Sequence, residues 1–424
     1  MNQPKSPAIK FTGYQKFVIA LLALTQFTVI LDFMVMSPLG DLLMKSLDMN
    51  PSNFGIAVAA YAFSAGISGL LTAGFADKYD RKKLFLFFYT GFILGTIMCG
   101  LANSYPILVA ARIITGIFGG VIGSISMAIV ADLFAIQQRG RVMGFMTMGF
   151  GASQVLGIPI GLYLANIWGW HAPFFWVAGM AAVIALLIAV KLSPLTSHLA
   201  LQSDKSPVKH LLHTIAKKEY RIGFSATALL SIGGFMMMPF GSAFAVNNLK
   251  ITQEQLPILF MVAGISTLIV MPIIGRISDI YDKFRIFALA SLWMVLVVLF
   301  YTNLGPSPFW LVMLFNVLMM AGIMGRMVPS VALTSAIPDM ADRGAFMSIN
   351  SSLQQIAGGF AAAIGGLIVV QKDKFSPLEH YNTLGIIVAI ITLIAIFMIY
   401  RVSEMVKKRS SEKTVVREPA TVID

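Results

Sequence analysis

The sequence predicts an all-α membrane protein with twelve transmembrane helices in two pseudo-symmetric six-helix bundles. Of its 424 residues, 57% are hydrophobic and only 12% are charged, whereas an average soluble domain is about a quarter charged. Apolar runs of roughly 18 or more residues, long enough to cross a bilayer as a helix, recur along the whole chain. These runs are continuous rather than alternating, which excludes a membrane β-barrel.

Twelve runs are candidate spans. The first six lie at 16–38, 53–75, 82–102, 105–130, 141–166 and 171–191. The second six lie at 222–246, 255–278, 284–303, 308–335, 345–370 and 383–401. They predict an N-terminal bundle at 1–192, a polar cytoplasmic linker at 193–219, a C-terminal bundle at 220–402 and a disordered cytoplasmic tail at 403–424.

The positive charges in the loops predict the orientation. With the N-terminus in the cytoplasm, 25 of the 31 Lys and Arg residues fall on the cytoplasmic side, four lie outside, and Arg112 and Arg326 lie within spans. The net charge of +12 therefore reflects the orientation of the chain in the membrane. The sequence shows no soluble basic surface of the kind that nucleic-acid binding needs. We expect a multi-pass protein of the cell membrane (the inner membrane in a Gram-negative cell) with both termini in the cytoplasm.

Other function classes find no support in the sequence. Cys99 is the single cysteine, so it can form neither an intramolecular disulfide nor, alone, a metal site. The five histidines do not cluster at metal-ligand spacing. No GxxxxGK[ST] phosphate loop is present, and no Ser-His-Asp grouping is apparent. We therefore expect no metal, no cofactor and no enzymatic activity.

The two halves of the chain repeat each other. GFADKYDRKK at 74–83 resembles GRISDIYDKFR at 275–285, and FMVMSPLG at 33–40 resembles FMMMPFG at 235–241, each at an offset of about 202 positions. Arg139-Gly140 likewise aligns with Arg343-Gly344. Two similar units in the same orientation imply parallel repeats, with a cavity between them near the membrane midplane.

Asp32 interrupts this duplication, because the aligned position in the second half is Gly234. An acid within a span faces a cavity or a partner, since exposing it to lipid is costly. Burial disfavours the charge of a carboxylate and a nearby cation favours it, so a group balanced between them can gain and lose a proton. The alternative is a polar cap on a helix kinked near Pro38.

Arg112 is the natural partner for Asp32. At 1.5 Å rise per residue, Asp32 lies roughly 22 Å and Arg112 roughly 20 Å from the cytoplasmic face. We hypothesise that the two interact directly or through water, and that protonation of Asp32 loosens the link. The alternative is two independent buried polar groups.

Three motifs resemble the major facilitator superfamily, and within it the twelve-span drug:proton antiporter branch. AGFADKYDRKK at 73–83 resembles the G-x-L-A-D-R-x-G-R-K loop motif, with Ala73 and Asp80 in place of two glycines. ARIITGIFGG at 111–120 resembles the R-x-x-x-G-x-x-G pattern of the fourth span. GIPIG at 157–161 lies where many antiporters have G-P-x-x-G-G, and its shifted proline resembles arabinose-efflux-like and sugar-efflux permeases. The resemblance covers nearly the whole chain.

The resemblance implies transport by alternating access, with the proton gradient as the energy source and the fourth-span arginine in proton transfer. We expect Asp32 and Arg112 to couple protons. The predicted cytoplasmic gate comprises Asp77, Arg81, Asp279 and Arg343. Gly157, Pro159 and Gly161 are expected to kink and pack the fifth span. Candidate residues of the substrate cavity, which could equally be interhelical contacts, are Gln154, Met236, Asn316, Asn350 and Gln354.

The function predicted is export of small lipophilic or amphipathic compounds in exchange for protons, as in multidrug efflux, by a monomer in the lipid bilayer. The first alternative is a transporter for a sugar or another metabolite, in either direction. An alternative of another class is a membrane sensor on a transporter fold that does not transport. A membrane enzyme would need a catalytic cluster, and the sequence contains none.

Overall fold

The computed structural model describes residues 10–72, 78–196, 199, 207–340 and 342–415, with the backbone alone for 207–209 and 410–415. Those residues form long helices and no strand beyond a single bridge between Val370 and Glu379. The first half contains α1 (Gly13–Val35), α2 (Gly40–Ser46), α3 (Pro51–Thr72), α4 (Arg81–Leu101), α5 (Tyr105–Leu133), α6 (Ile136–Ala152), α7 (Ile158–Trp168) and α8 (Ala172–Lys191).

The second half repeats this order. After a short helix α9 (Pro207–Ala216) come α10 (Lys218–Phe235), α11 (Gly241–Asn247), α12 (Leu256–Ile280), α13 (Lys283–Tyr301), α14 (Phe309–Ser335), α15 (Arg343–Ile368) and α16 (Tyr381–Val415). We call the side at which α1 begins and α16 ends the terminal side. The opposite side, which holds residues 36–50 and 241–255, is the distal side.

Eleven helical crossings among the described residues are long and apolar enough to span a membrane. The twelfth predicted span, at 345–370, is α15, a helix of 26 residues that runs beside α3. Its composition is more polar because Asn350, Gln354 and Gln355 follow one another within two turns. The all-α membrane fold expected from the sequence is thus the fold of the chain.

Both first crossings break at the prolines that the repeat aligns. A turn at 36–39 around Pro38 separates α1 from α2, and a 3₁₀ turn at Met238–Phe240 around Pro239 separates α10 from α11. Proline has no N–H to donate within a helix, so each crossing is interrupted near the distal side.

The duplicated acids Asp80 and Asp282 also have a local role, because each caps the N-terminus of the following helix with its side chain.

The fifth crossing contains a π-helical turn at Ser153–Gly157, directly before Pro159. Its glycines face α1: a Cβ on Gly157 would lie 2.7 Å from Leu31, and one on Gly161 would lie 3.1 Å from Val35. On its other side the turn contacts α12, where a Cβ on Gly264 would lie 2.9 Å from the carbonyl oxygen of Gln154. The predicted close packing of this span therefore involves both halves.

Two boundaries differ from the sequence-based expectation. Helix α9 lies within the segment predicted as a polar linker, at 193–219. Helix α16 continues to Val415, past the predicted start of a disordered tail at 403. The extension has partners in the second half: Arg409 donates hydrogen bonds to the carbonyl of Ile337 and the carboxylate of Glu219. Charged residues end a membrane span without ending the helix, so the composition does not show where this helix ends.

Candidate functional site

Asp32 and Arg112 form a fully buried ion pair inside the first half. Nη1 of Arg112 donates to Oδ2 of Asp32 at 2.9 Å, and both side chains are 0% exposed. Thr96 donates from its hydroxyl to the other carboxylate oxygen at 3.1 Å. The carboxylate is thus held by helices α4 and α5 at once.

The remaining surface of the guanidinium is less well satisfied. Arg112 lies over the ring of Tyr61, with Cζ 4.4 Å from the ring centroid. Its Nε and Nη2 have no hydrogen-bond partner among the described residues. An aromatic face attracts a cation but accepts no strong hydrogen bond. The arginine is therefore neutralised by one carboxylate while two of its donor nitrogens stay available.

Glycines of the fourth-span motif bring Tyr61 to this position. A Cβ on Gly116 would lie 2.5 Å from the carbonyl oxygen of Tyr61, and one on Gly120 would lie 2.4 Å from that of Ala65. Helices α5 and α3 can approach so closely only because these positions lack side chains. The R-x-x-x-G-x-x-G pattern therefore places both the arginine and the aromatic ring beneath it.

Helix α1 holds Asp32 from the opposite direction. Leu31 and Val35, on either side of the acid in sequence, are the residues that contact Gly157 and Gly161 of the fifth crossing. The carboxylate is consequently fixed between tightly packed helices and shielded from lipid. Such a pair in a low-dielectric interior has a strong attraction, which removal of either charge eliminates.

The predicted cytoplasmic gate is only partly assembled in the described residues. Arg81 pairs with Asp132 of α5, Nε to Oδ2 at 3.4 Å, which links two helices of the first half. Asp279 and Arg343 are exposed, and no ion pair joins either to another described residue. Asp77 lies outside the described residues. Asp132 was missed in the sequence because an acid at a helix end is ordinary.

The five candidate cavity residues have different environments. Met236 is 2% exposed within the apolar core, so its side chain offers little surface to a ligand in this conformation. Asn350 accepts a hydrogen bond from Thr227 at 2.7 Å, and Asn316 donates to the carbonyl of Val312 at 2.9 Å. Gln154 is half-buried and Gln354 is exposed. Asn350 and Asn316 thus have contacts with their own half, and Gln354 presents the most open amide.

A comparison with known protein families matches the two halves of the chain separately. A family model described as Major Facilitator Superfamily matches residues 22–223 and matches again at residues 223–422. The chain belongs to the Major Facilitator Superfamily.

Relatives and solved structures agree with this assignment. The chain is 23% identical over 385 residues to an uncharacterized MFS-type transporter, YceJ, of Bacillus subtilis, covering 90% of this chain and 95% of that protein. It is 24% identical over 366 residues to a probable sugar efflux transporter of Helicobacter pylori, covering 85% and 90%. The crystal structure of a D-xylose–proton symporter superposes with a TM-score of 0.76 at 17% identity, covering 91% and 97%. The protein is a multi-pass membrane transporter for a small molecule, not an enzyme.

A polar cluster on the distal side joins the two halves of this superfamily fold. Asp41 of α2 is 1% exposed and accepts hydrogen bonds from Asn247 of α11 at 2.6 Å and from Gln253 at 2.5 Å. Lys45 donates to Asp41 at 2.7 Å and to Asn247 at 3.3 Å. We call Asp41, Lys45, Asn247 and Gln253 the distal latch. Lys45 and Asn247 lie at the repeat offset of 202 positions, so equivalent positions of the two halves face each other.

A second cluster ties α9 and α10 to the loop before α15. Asp342 accepts hydrogen bonds from Lys217 at 2.5 Å and from Tyr220 at 2.8 Å, and His210 approaches its other oxygen at 3.7 Å. The hydrogen bond from Lys217 lowers the pKa of the Asp342 carboxyl below its usual value, followed by that from Tyr220. This cluster stabilises the terminal side of the second half, and its polar contacts among the described residues stay within that half.

The buried ion pair predicts unequal costs for removing its two partners. Asp32→Asn leaves an arginine that cannot lose its charge, so we expect a loss of about 3–5 kcal/mol in the free energy of unfolding. Arg112→Met leaves a carboxylate that can bind a proton, so its loss is expected to be smaller. Denaturation of the purified variants in detergent, followed by circular dichroism, measures both.

The double variant Asp32→Asn/Arg112→Met serves as the control, because it leaves no buried charge. Its stability should exceed that of Asp32→Asn alone. Equal losses in the two single variants, or a larger loss for Arg112→Met, would contradict this account of the pair.

Proposed function

We propose that the protein is a proton-coupled secondary transporter that exports small lipophilic or amphipathic compounds by alternating access. One observation carries the proposal: the fully buried pair of Asp32 and Arg112 exists in the first half alone, because the repeat aligns Asp32 with Gly234. Architecture is duplicated in this fold and this charge is not. The second half forms the same architecture without an acid at the aligned position, so the charge of Asp32 is best explained by the chemistry of transport.

The pair provides a way to couple a proton to a change in helix packing. When Asp32 is ionised, Arg112 and Thr96 hold it between α1, α4 and α5. Protonation removes the charge that attracts Arg112, and the link between α1 and α5 weakens. Since α1 also contacts the π-helical turn of the fifth crossing, which itself contacts α12, the change at Asp32 reaches the interface of the two halves.

The distal latch is the second part of the proposed mechanism. We place both termini in the cytoplasm, on the charge distribution of the loops, so the distal side faces outward. The latch holds this side closed by hydrogen bonds between α2 and α11, and release of an exported compound requires these to separate. The monomer contains both halves and therefore both sides of the latch.

Export of a sugar is the second candidate. The relatives from Helicobacter pylori are named probable sugar efflux transporters, and one of them matches 85% of this chain. The exposed amide of Gln354 would suit hydroxyl groups. Because the identity to this relative is only 24%, we carry over the direction of transport, which is export, rather than the substrate.

Proton flux measures the proposed coupling directly. Purified protein in liposomes with an internal pH-sensitive dye should move protons when a transported compound is added across a proton gradient. Asp32→Asn should abolish substrate-linked proton movement, because the asparagine amide cannot bind or release a proton at this position. A panel of amphipathic compounds and of sugars, tested in parallel, distinguishes the two candidates.

Asp48→Asn is the matched control, since Asp48 is an acid on the distal side with a side chain 84% exposed. It should retain flux. Unchanged flux in Asp32→Asn would refute the coupling role. A chain that is folded but moves no proton with any compound would favour the sensor alternative.

The distal latch predicts a shift of conformation when Asn247, which makes two of its hydrogen bonds, is replaced. Spin labels on Asn103→Cys and Asn303→Cys, exposed positions in distal loops of opposite halves, report the opening by their separation. Asn247→Ala should increase the fraction of long distances. Asn248→Ala should not, because Asn248 hydrogen-bonds within its own half. The native Cys99 is buried and stays unlabelled.

An unchanged distance distribution in Asn247→Ala would show that the distal side is closed by helix packing rather than by the latch.

A further inference from the structure

Arg326 of α14 is a buried cation with no counter-ion among the described residues. The residue is 7% exposed, and its Nε and Nη2 have no hydrogen-bond partner in the part of the chain that the structure describes. Its guanidinium lies 5.9 Å from the centroid of the Phe287 ring, the only contact of its charge that we find there. A cation in a membrane span without a partner indicates a function, because burying an unpaired charge is costly.

Three acids on the terminal side of the second half are either engaged elsewhere or exposed. Asp342 is held by Lys217 and Tyr220. Asp282 caps α13 and pairs with Lys407 at 3.1 Å. Asp279 is exposed on α12. None of these carboxylates pairs with Arg326, so the structure assigns it no partner from the described chain.

The open edge of Arg326 has the shape that recognises a carboxylate. Nε and Nη2 form one side of the planar guanidinium, and their N–H groups point in the same direction. Arginine binds carboxylates through two such parallel hydrogen bonds. Arg112 leaves the same two nitrogens without a partner among the described residues, but its charge is already neutralised by Asp32 at Nη1, whereas that of Arg326 is not.

The helix facing Arg326 offers a further unsatisfied donor. Ser291 of α13 is 0% exposed, and its hydroxyl has no hydrogen-bond partner among the described residues. It lies one helical turn after Phe287 and follows Ala290, the residue that a Cβ on Gly325 would meet at 2.7 Å. The face of α13 that packs against α14 here thus combines an aromatic ring with an unused hydroxyl.

Helix α14 also has less protein around it than its counterpart in the first half. In an apolar 18-residue stretch of α14, 28% of the residues are buried, whereas 50% are buried in such a stretch of α5. All residues at 315–321, one to three turns from Arg326, are half-buried. More of α14 than of α5 is therefore accessible from outside the protein core, to lipid or to a ligand.

We propose that the Nε–Nη2 edge of Arg326 binds a carboxylate of the transported compound, which makes the substrate an amphipathic organic acid. Phe287 and Ser291 are fully buried in this conformation, so the ring and the hydroxyl would contact the compound only when α13 and α14 separate. This inference rests on the proposed function, since it names the substrate class of the same transporter. Binding at Arg326 is nevertheless separate from proton coupling at Asp32.

The test uses the full-length purified protein in detergent, without a proton gradient, and benzoate as the probe. The melting temperature is measured against increasing sodium benzoate, with benzyl alcohol as the uncharged analogue and sodium chloride as the simple anion. We expect a saturable rise with benzoate alone. Arg326→Gln should lose this rise, and Arg326→Lys should shift it to higher concentration because lysine cannot form the two parallel bonds.

Arg276→Gln is the matched control, because Arg276 is exposed on α12, and it should respond as the native chain does. No proton gradient is present, so a failure of proton coupling would not be mistaken for a failure at this site. An equal rise in Arg326→Gln, an equal effect of chloride or of benzyl alcohol, or no saturable rise in the native chain would each overturn the proposal.

Discussion

The buried ion pair of Asp32 and Arg112 is the constraint on which the first half depends. Two charges in a membrane interior are tolerated when each satisfies the other. Asp32 has the arginine and a threonine hydroxyl, and Arg112 has the acid and the face of Tyr61. Four helices, α1, α3, α4 and α5, must therefore keep their positions for either charge to remain buried. Any event that removes one charge changes what holds those helices together.

Glycines and prolines make this arrangement possible. Gly116 lets α5 approach Tyr61, and Gly157 lets the fifth crossing approach α1 next to Asp32. At its π-helical turn, directly before Pro159, the same crossing contacts α12 of the other half. The acid is thus connected to the interface between the halves through close contacts of the fifth crossing, with the Leu31 side chain on one side and Gly264 on the other. At the distal side, Asp41 joins the halves by hydrogen bonds that can break and re-form.

Much of the fold could be predicted from local sequence features. Span length and rise per residue placed Asp32 and Arg112 at similar depths, and aligned prolines marked the breaks in both first crossings. Contacts between the halves could not be predicted in this way. Asp41 and Lys45 lie near a loop, where charges are common, and their partners depend on how two separate bundles dock. The burial of Met236 in this conformation could not be predicted for a related reason: a methionine-rich segment does not reveal which side chains face the core.

The most direct test of the central claim is infrared difference spectroscopy of the purified protein across a pH titration. If Asp32 exchanges a proton, a carbonyl band of a protonated carboxylic acid should appear on acidification. That band should be absent in Asp32→Asn and displaced in Arg112→Lys, because the arginine sets the environment of the acid. A titration whose carboxylic bands are the same in the native chain and in Asp32→Asn would contradict the claim that this buried pair carries the proton.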